Sequence, residues 1–190
     1  MTGTAKSVVA CLALLALSGC AAPALHTYLL ATPPTTSAAA GVETLPSSVI
    51  ELRPVLLPGH LDSSEILRRA GPELVASRNG RWGERLSAGI RLALAADLGR
   101  LLPQDAIATA SPVLQDFRRV SVTVTGFDLD ARGTLTLDAD WLIETTRPPA
   151  PLARRRAHFV ALDVPAGDAA QVAAMSRLVG QLATAIAHEL

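Results

Sequence analysis

Apolar and polar residues alternate most regularly between Val120 and Ile143. Val120, Val122 and Val124 alternate with Ser121, Thr123 and Thr125, the period-two pattern of a half-buried strand. The apolar set then changes parity to Phe127 and Leu129. Such a shift turns side chains to the opposite face unless an extra residue is inserted, so Gly126, at the shift, predicts a β-bulge. The return strand carries Leu135, Leu137, Ala139, Trp141 and Ile143, with Thr136, Asp138 and Asp140 between them. A three-residue loop, Ala131-Arg132-Gly133 with Gly133 left-handed, pairs Leu129 with Leu135 and Phe127 with Leu137. Both pairs then share the core face.

Two segments carry the helical period instead. Leu86, Ile90, Ala93, Leu94, Leu98 and Leu101 fall on one face of a helix, and Pro103 ends it. Gly89 and Gly99 lower its propensity, so packing must hold it. Val172, Met175, Val179, Leu182, Ile186 and Leu190 form a second stripe after the turn Pro165-Ala166-Gly167-Asp168, with Asp168 as the expected N-cap.

Shorter signals fill the rest. Ile50–Arg53 reads as a strand that Pro54 restricts to a sheet edge, with Val55–Leu57 as its continuation. Glu65–Arg69 and Leu74–Ser77 flank a turn at Ala70–Glu73. Thr145–Pro151 holds three prolines and reads as a loop, and Arg154–Val164 as a further strand. The expected fold class is α+β: an antiparallel β-sheet with two main amphipathic helices packed on one face.

The N-terminus follows another logic. Met1–Ser7 carries one charge, Lys6; the apolar run Val8–Leu17 follows, and Leu17-Ser18-Gly19-Cys20 closes it. This is the three-part layout of a secretory signal, ending in a lipobox whose cysteine is acylated and becomes the new N-terminus. A transmembrane helix needs ~20 apolar residues, and this run breaks at Pro23. Residues 1–19 are thus expected to be a signal peptide. Residues 20–48 are a lipidated Cys20 with an Ala/Thr/Pro-rich tether, and 49–190 the folded body. The apolar knot Tyr28-Leu29-Leu30 either belongs to the tether or docks as an edge strand, which shortens the reach from the membrane. Of the two cysteines, Cys11 leaves with the signal. Cys20 is consumed by its acyl and diacylglycerol chains, and no disulfide, Cys metal site or Cys nucleophile is left. No other cofactor is expected.

Composition narrows the chemistry. Seventeen basic residues balance seventeen acidic ones and aromatics are 3%, which argues against nucleic-acid binding. Lys6 is the only lysine, so Schiff-base chemistry is out of reach. The chain has no P-loop, no Gly-x-Gly-x-x-Gly, no Gly-x-Ser-x-Gly elbow and no metal-ligand spacing of His, Asp and Glu. No catalytic residue and no metal site are assigned. Asp128, Asp130, Asp138 and Asp140 come close across the hairpin; a solvated sheet face is the simpler reading than calcium. Trp82 is either a core plug or a packing anchor for a partner. Arg154, Arg155 and Arg156 are either a solvated loop end or a seat for phosphate head groups or an acidic partner surface.

Several segments together carry a resemblance. After the lipobox come Tyr28-Leu29-Leu30, Leu57-Pro58-Gly59-His60-Leu61-Asp62, Glu65-Ile66-Leu67-Arg68-Arg69 and Arg81-Trp82-Gly83-Glu84-Arg85-Leu86. Ala139-Asp140-Trp141 and Val172-Ala173-Ala174-Met175-Ser176-Arg177 follow. In order and spacing the chain resembles the ABC-type transport auxiliary lipoprotein family (PqiC-like), although Gly83 and Arg85 depart from the family's Trp-Ala-Glu-Pro-Leu wording. The resemblance implies a non-catalytic lipoprotein on the periplasmic face of the outer membrane. Its partners would be an MCE-domain protein and inner-membrane transport components that move lipids between membranes. Self-assembly into a homo-oligomeric ring fits the same resemblance. The alternative is a periplasmic lipid-binding carrier lipoprotein, which needs a deep apolar pocket of several hundred cubic ångströms. A periplasmic hydrolase would need a convergent Ser/His/Asp cluster.

Overall fold

The computed structural model describes residues 24–31, 46–113 and 116–190. The signal peptide and Cys20 lie outside these residues. Two sheets and two helices make up the body, in the chain order β1 (His26–Tyr28), β2 (Val49–Leu52), β3 (Glu65–Ala70), β4 (Glu73–Trp82), α1 (Leu86–Leu101), β5 (Ala106–Ala108), β6 (Arg118–Leu129), β7 (Leu135–Thr146), β8 (Pro149–Ala161) and α2 (Asp168–Ala187). The small sheet has the order β1-β4-β3 and the large one β5-β2-β6-β7-β8. The class is α+β, but the sheets are mixed. β1 runs parallel to β4, and β2 parallel to both β5 and β6, while β3–β4, β6–β7 and β7–β8 are antiparallel.

The β6–β7 hairpin follows the alternation that predicted it. Leu129 pairs with Leu135 and Phe127 with Leu137, and the register shifts between Val124 and Gly126. Gly133 has φ +81°. The loop is tied by Asp130, whose Oδ1 accepts the Arg132 and Thr134 N–H groups at 2.9 and 2.8 Å. Val120, Val122, Val124, Phe127 and Leu129 are buried, as are Leu135, Leu137, Ala139, Trp141 and Ile143. This buried face meets α2, which packs on β7 and β8 and against α1. Ile90, Leu94, Leu98, Val179, Leu182 and Ile186 are fully enclosed there. At about 1.5–3 kcal/mol for each large apolar side chain removed from water, this stripe-on-sheet contact carries most of the fold's stability.

Three expectations are corrected. β2 is interior, not an edge strand. The N–H that Pro54 lacks falls between the donors Arg53, to the Val120 carbonyl (2.9 Å), and Leu56, to that of Val122 (3.1 Å). The ladder therefore steps over the proline. Second, the proline-rich segment is strand on both sides of a tight Arg147-Pro148 turn, because Pro149 and Pro151 lie on β8, whose outer edge carries no further strand among the described residues. Third, Asp168 does not cap α2. Gly167 is the N-cap residue, and Asp168 is the first residue of the helix. Its carboxylate turns to Ser77 Oγ at 2.6 Å and Arg68 Nη2 at 3.4 Å.

The same corner joins the small sheet to α2. Arg68 Nε donates to Gln171 Oε1 at 3.0 Å, and Gln171 Nε2 to the Leu67 carbonyl at 2.8 Å. Gly80 makes the approach feasible, since a Cβ there would lie inside contact distance of Asp168 Oδ2 and 2.8 Å from its Cγ. α1 is capped from a distance. Arg85, its N-cap residue, makes no side-chain cap bond, and Asp62 Oδ1 instead accepts the Ser87 N–H at 3.0 Å. Burial raises the Asp62 carboxyl, but bonds from Ser87 and Arg85 outweigh it and hold the group below the usual range. The knot at 28–30 docks: β1 pairs with β4 and Leu30 is buried.

Candidate functional site

Trp82 ends β4, buried, with Leu61, Leu67, Leu86, Phe127 and Met175 around it. The void between them is about 10 Å3, no larger than one water requires. It is a core plug, not an exposed anchor. Trp141 is buried on the helix-facing side of β7, and its indole N–H has no acceptor among the described residues.

The three arginines lie in the middle of β8, not at a loop end, and all are exposed. Alternation splits them. Arg155 turns to the helix side and holds Glu189 with a two-pronged grip, 3.1 Å from Nε and 3.1 Å from Nη2. Arg156 lies on the outer side and grips Asp140 at 2.6 and 3.2 Å. The Arg156 bond, together with the charges of Arg156 and Arg154, depresses the Asp140 carboxyl, and Asp140 in turn raises the Arg156 guanidinium.

The other carboxylates of the hairpin are engaged in the same manner. Asp128 accepts from Arg69 at 3.1 Å, Asp130 from Arg132 at 3.1 Å, and Asp138 Oδ1 lies 2.7 Å from His158 Nδ1. Asp138 and Asp140 thus bond across β7 and β8, Asp128 bonds to β3 of the small sheet, and Asp130 bonds within the hairpin loop. Among the described residues no group of three or more His, Cys, Asp or Glu side chains could hold a metal ion.

Two features had no signal in the sequence. Glu51 on β2 is buried although Ile50 and Leu52 beside it are core residues. It accepts from Ser111 Oγ at 2.7 Å and Arg119 Nε at 2.6 Å, with Arg53 at 3.8 Å. Arg119 in turn lies 5.5 Å from the Phe117 ring centre. A glutamate between two apolar neighbours reads as solvent-facing; only the segment that follows β5 covers it. The second feature is a pair of open depressions that meet at Arg68 and Val75. One, of about 410 Å3, is bordered by Arg69, Leu129, Arg132 and Val164. The other, of about 560 Å3, is bordered by His26, Tyr28, Arg78, Asn79 and Asp168. Both draw on residues far apart in the chain. Guanidinium groups set in apolar surroundings are suited to phosphate or carboxylate.

The family described as the ABC-type transport auxiliary lipoprotein component matches residues 28–187. A crystal structure of an uncharacterized protein superposes with a TM-score of 0.72 at 21% identity, covering 87% of this chain and 98% of that one. A Xanthomonas campestris protein of the DUF330 family follows at 0.64 and 15% identity, covering 85% and 91%. At these identities the likeness is one of fold. No curated protein matches the chain.

Proposed function

Because the chain belongs to the ABC-type transport auxiliary lipoprotein family, we propose that it is a non-catalytic accessory of an envelope lipid-transport machine. It is fixed through an acylated Cys20 to the periplasmic face of the outer membrane. Its partners are an MCE-domain protein and inner-membrane transport components, and a ring of copies is its working form. The observation that carries the reading is the placement of the lipobox: the family match begins at Tyr28, eight residues after Cys20. Two acyl chains, at ~0.8 kcal/mol per buried CH2, already give stable anchoring. The filled interface between helices and sheet supports an assembly component over a lipid carrier, since its largest side chains are fully buried.

Cys20→Ala tests the anchor. Fractionation should find the variant folded but released from membranes or unprocessed; an unchanged membrane-bound pool overturns the reading. Crosslinking of the lipidated protein in cells, with identification of what it captures, tests the partners. Capture of an MCE-domain protein is the expected result.

A further inference from the structure

We propose that the edge of β1 facing away from β4 and the depression beside it lie on the surface of the anchoring membrane, with phospholipid head groups as their occupant. The proposal rests on the lipidation of Cys20 just described.

Chain length makes the first argument. If the folded body began at residue 49, the tether would span up to ~95 Å when extended, at ~3.3 Å per residue. The structure moves the point of entry. His26, Thr27 and Tyr28 pair with Gly80, Arg81 and Trp82. Gly83 N–H donates to the Tyr28 carbonyl at 2.8 Å, and Ala31 N–H to Ser176 Oγ at 3.0 Å. Leu30 is only 7% exposed. The body therefore grips residues 26–31. Six residue steps separate Cys20 from His26, a reach of ~20 Å at ~3.3 Å per residue. The head-group layer takes up about 5–8 Å of that distance, and what is left is under two Debye lengths of ~8 Å at physiological salt. β1 cannot leave the neighbourhood of the bilayer while the anchor holds.

Surface chemistry makes the second. Leu25 and Leu29, at 65% and 59% exposure, flank β1 on one side. On the other side His26 and Tyr28 border the depression of about 560 Å3, with Arg68, Arg78 and Asn79 along its walls. Leucines and a tyrosine next to arginines match the layering of a membrane interface, with apolar groups toward the acyl boundary and cations at the phosphates. The one carboxylate at the wall, Asp168, is held by Ser77 and Arg68, so Arg78 and His26 face an incoming phosphate.

The test uses the full lipidated protein in vesicles of phosphatidylethanolamine and phosphatidylglycerol that carry a head-group nitroxide quencher. A fluorophore is attached at Leu29→Cys, or at Leu25→Cys as a second reporter. The reference site is Leu152→Cys, 54% exposed on β8 beside the far end of α2, whose twenty residues span ~30 Å. Quenching at 29 and 25 is expected to exceed that at 152 by about twofold or more, and Arg78→Glu should reduce the excess. Equal quenching at the three sites, or an Arg78→Glu variant indistinguishable from its parent, overturns the proposal. The intact mass is read on the same samples. An unacylated Cys20 overturns the anchor and this proposal together, whereas an acylated Cys20 without preferential quenching overturns this proposal alone.

Discussion

Replacing Glu51 by Gln isolates the charge of the buried carboxylate on β2. The substitution keeps shape and volume, so packing against Ile50, Leu52 and the β6 ladder is undisturbed. What changes is the acceptor set. Glu51 now accepts from Arg119 at 2.6 Å and Ser111 at 2.7 Å, with only 3% of its side chain exposed. A glutamine keeps one carbonyl oxygen, which stays with Arg119, and its amide N–H2 forces the Ser111 hydroxyl to turn and accept. Hydrogen bonds to charged groups contribute about 1.5–3 kcal/mol, against about 1 for neutral ones. Arg119, 34% exposed, regains water and limits the loss. The cost is about 2–3 kcal/mol, short of the roughly 3–5 kcal/mol for breaking a fully buried pair. With an m-value of about 2 kcal/mol/M, the urea midpoint should fall by about 1–1.5 M.

The same variant tests a pH dependence. Burial raises the Glu51 carboxyl, but Ser111, Arg119 and Arg53 outweigh it, so its folded value lies below the ordinary one. The stabilisation is therefore present above the unfolded value of about 4.3 and is lost as pH falls through the folded value. Urea unfolding at pH 7 and at pH 3 should show the gap between parent and variant closing at the lower pH. A gap below about 0.5 kcal/mol at pH 7, or one that does not change with pH, would refute the reasoning.

Gly80→Ala places a Cβ inside contact distance of the Asp168 carboxylate and should push α2 off β4. A loss of about 2 kcal/mol is expected as the Ser77 and Arg68 bonds break, read as a lower melting temperature with faster amide exchange in β3 and β4. Gly133→Val sets a β-branched side chain at φ +81°, its Cβ 3.0 Å from the Val164 carbonyl oxygen. Left-handed strain of roughly 1–2 kcal/mol plus the clash should lower the melting temperature by several degrees; no change would argue against the left-handed loop.

Legibility in the sequence followed the range of the interactions. The β6–β7 hairpin was readable down to its bulge and loop because alternation, parity shift and Gly133 all act within one hairpin. The two helices were readable because a 3.6-residue stripe is local. The place of β2 was not. Whether a strand is central depends on which partners arrive, and Pro54 argues for an edge only when its missing N–H would fall on a ladder position. Asp168 was misread for a related reason. A side chain at a helix start caps that helix unless a stronger partner lies nearby, and Ser77 and Arg68, some ninety to a hundred residues earlier, are that partner. The depression beside β1 lay beyond reading altogether, since His26, Arg78 and Asp168 come from three separate elements.

A chain of long-range contacts links β1 to the arginine strand. β1 is hydrogen-bonded to β4, β4 is locked to the start of α2 through Ser77, Gly80 and Asp168, and the residue just past the end of α2, Glu189, is gripped by Arg155 on β8. Arg118, two strands away, also donates to the Leu190 carbonyl. These contacts tie β1, β4, α2 and β8 into one connected network. On the proposed placement of β1 at the head groups, the start and middle of α2 lie beside β1, and β8 meets the far end of that helix through Glu189. Arg156 is held by Asp140, and Arg154, two residues before it on β8, is exposed and suited to an acidic surface in the aqueous space. We therefore propose phosphate for the β1 side and an acidic protein surface for the β8 side. The division makes a separable demand: charge reversal at Arg154 should weaken partner capture and leave quenching at residue 29 as it was.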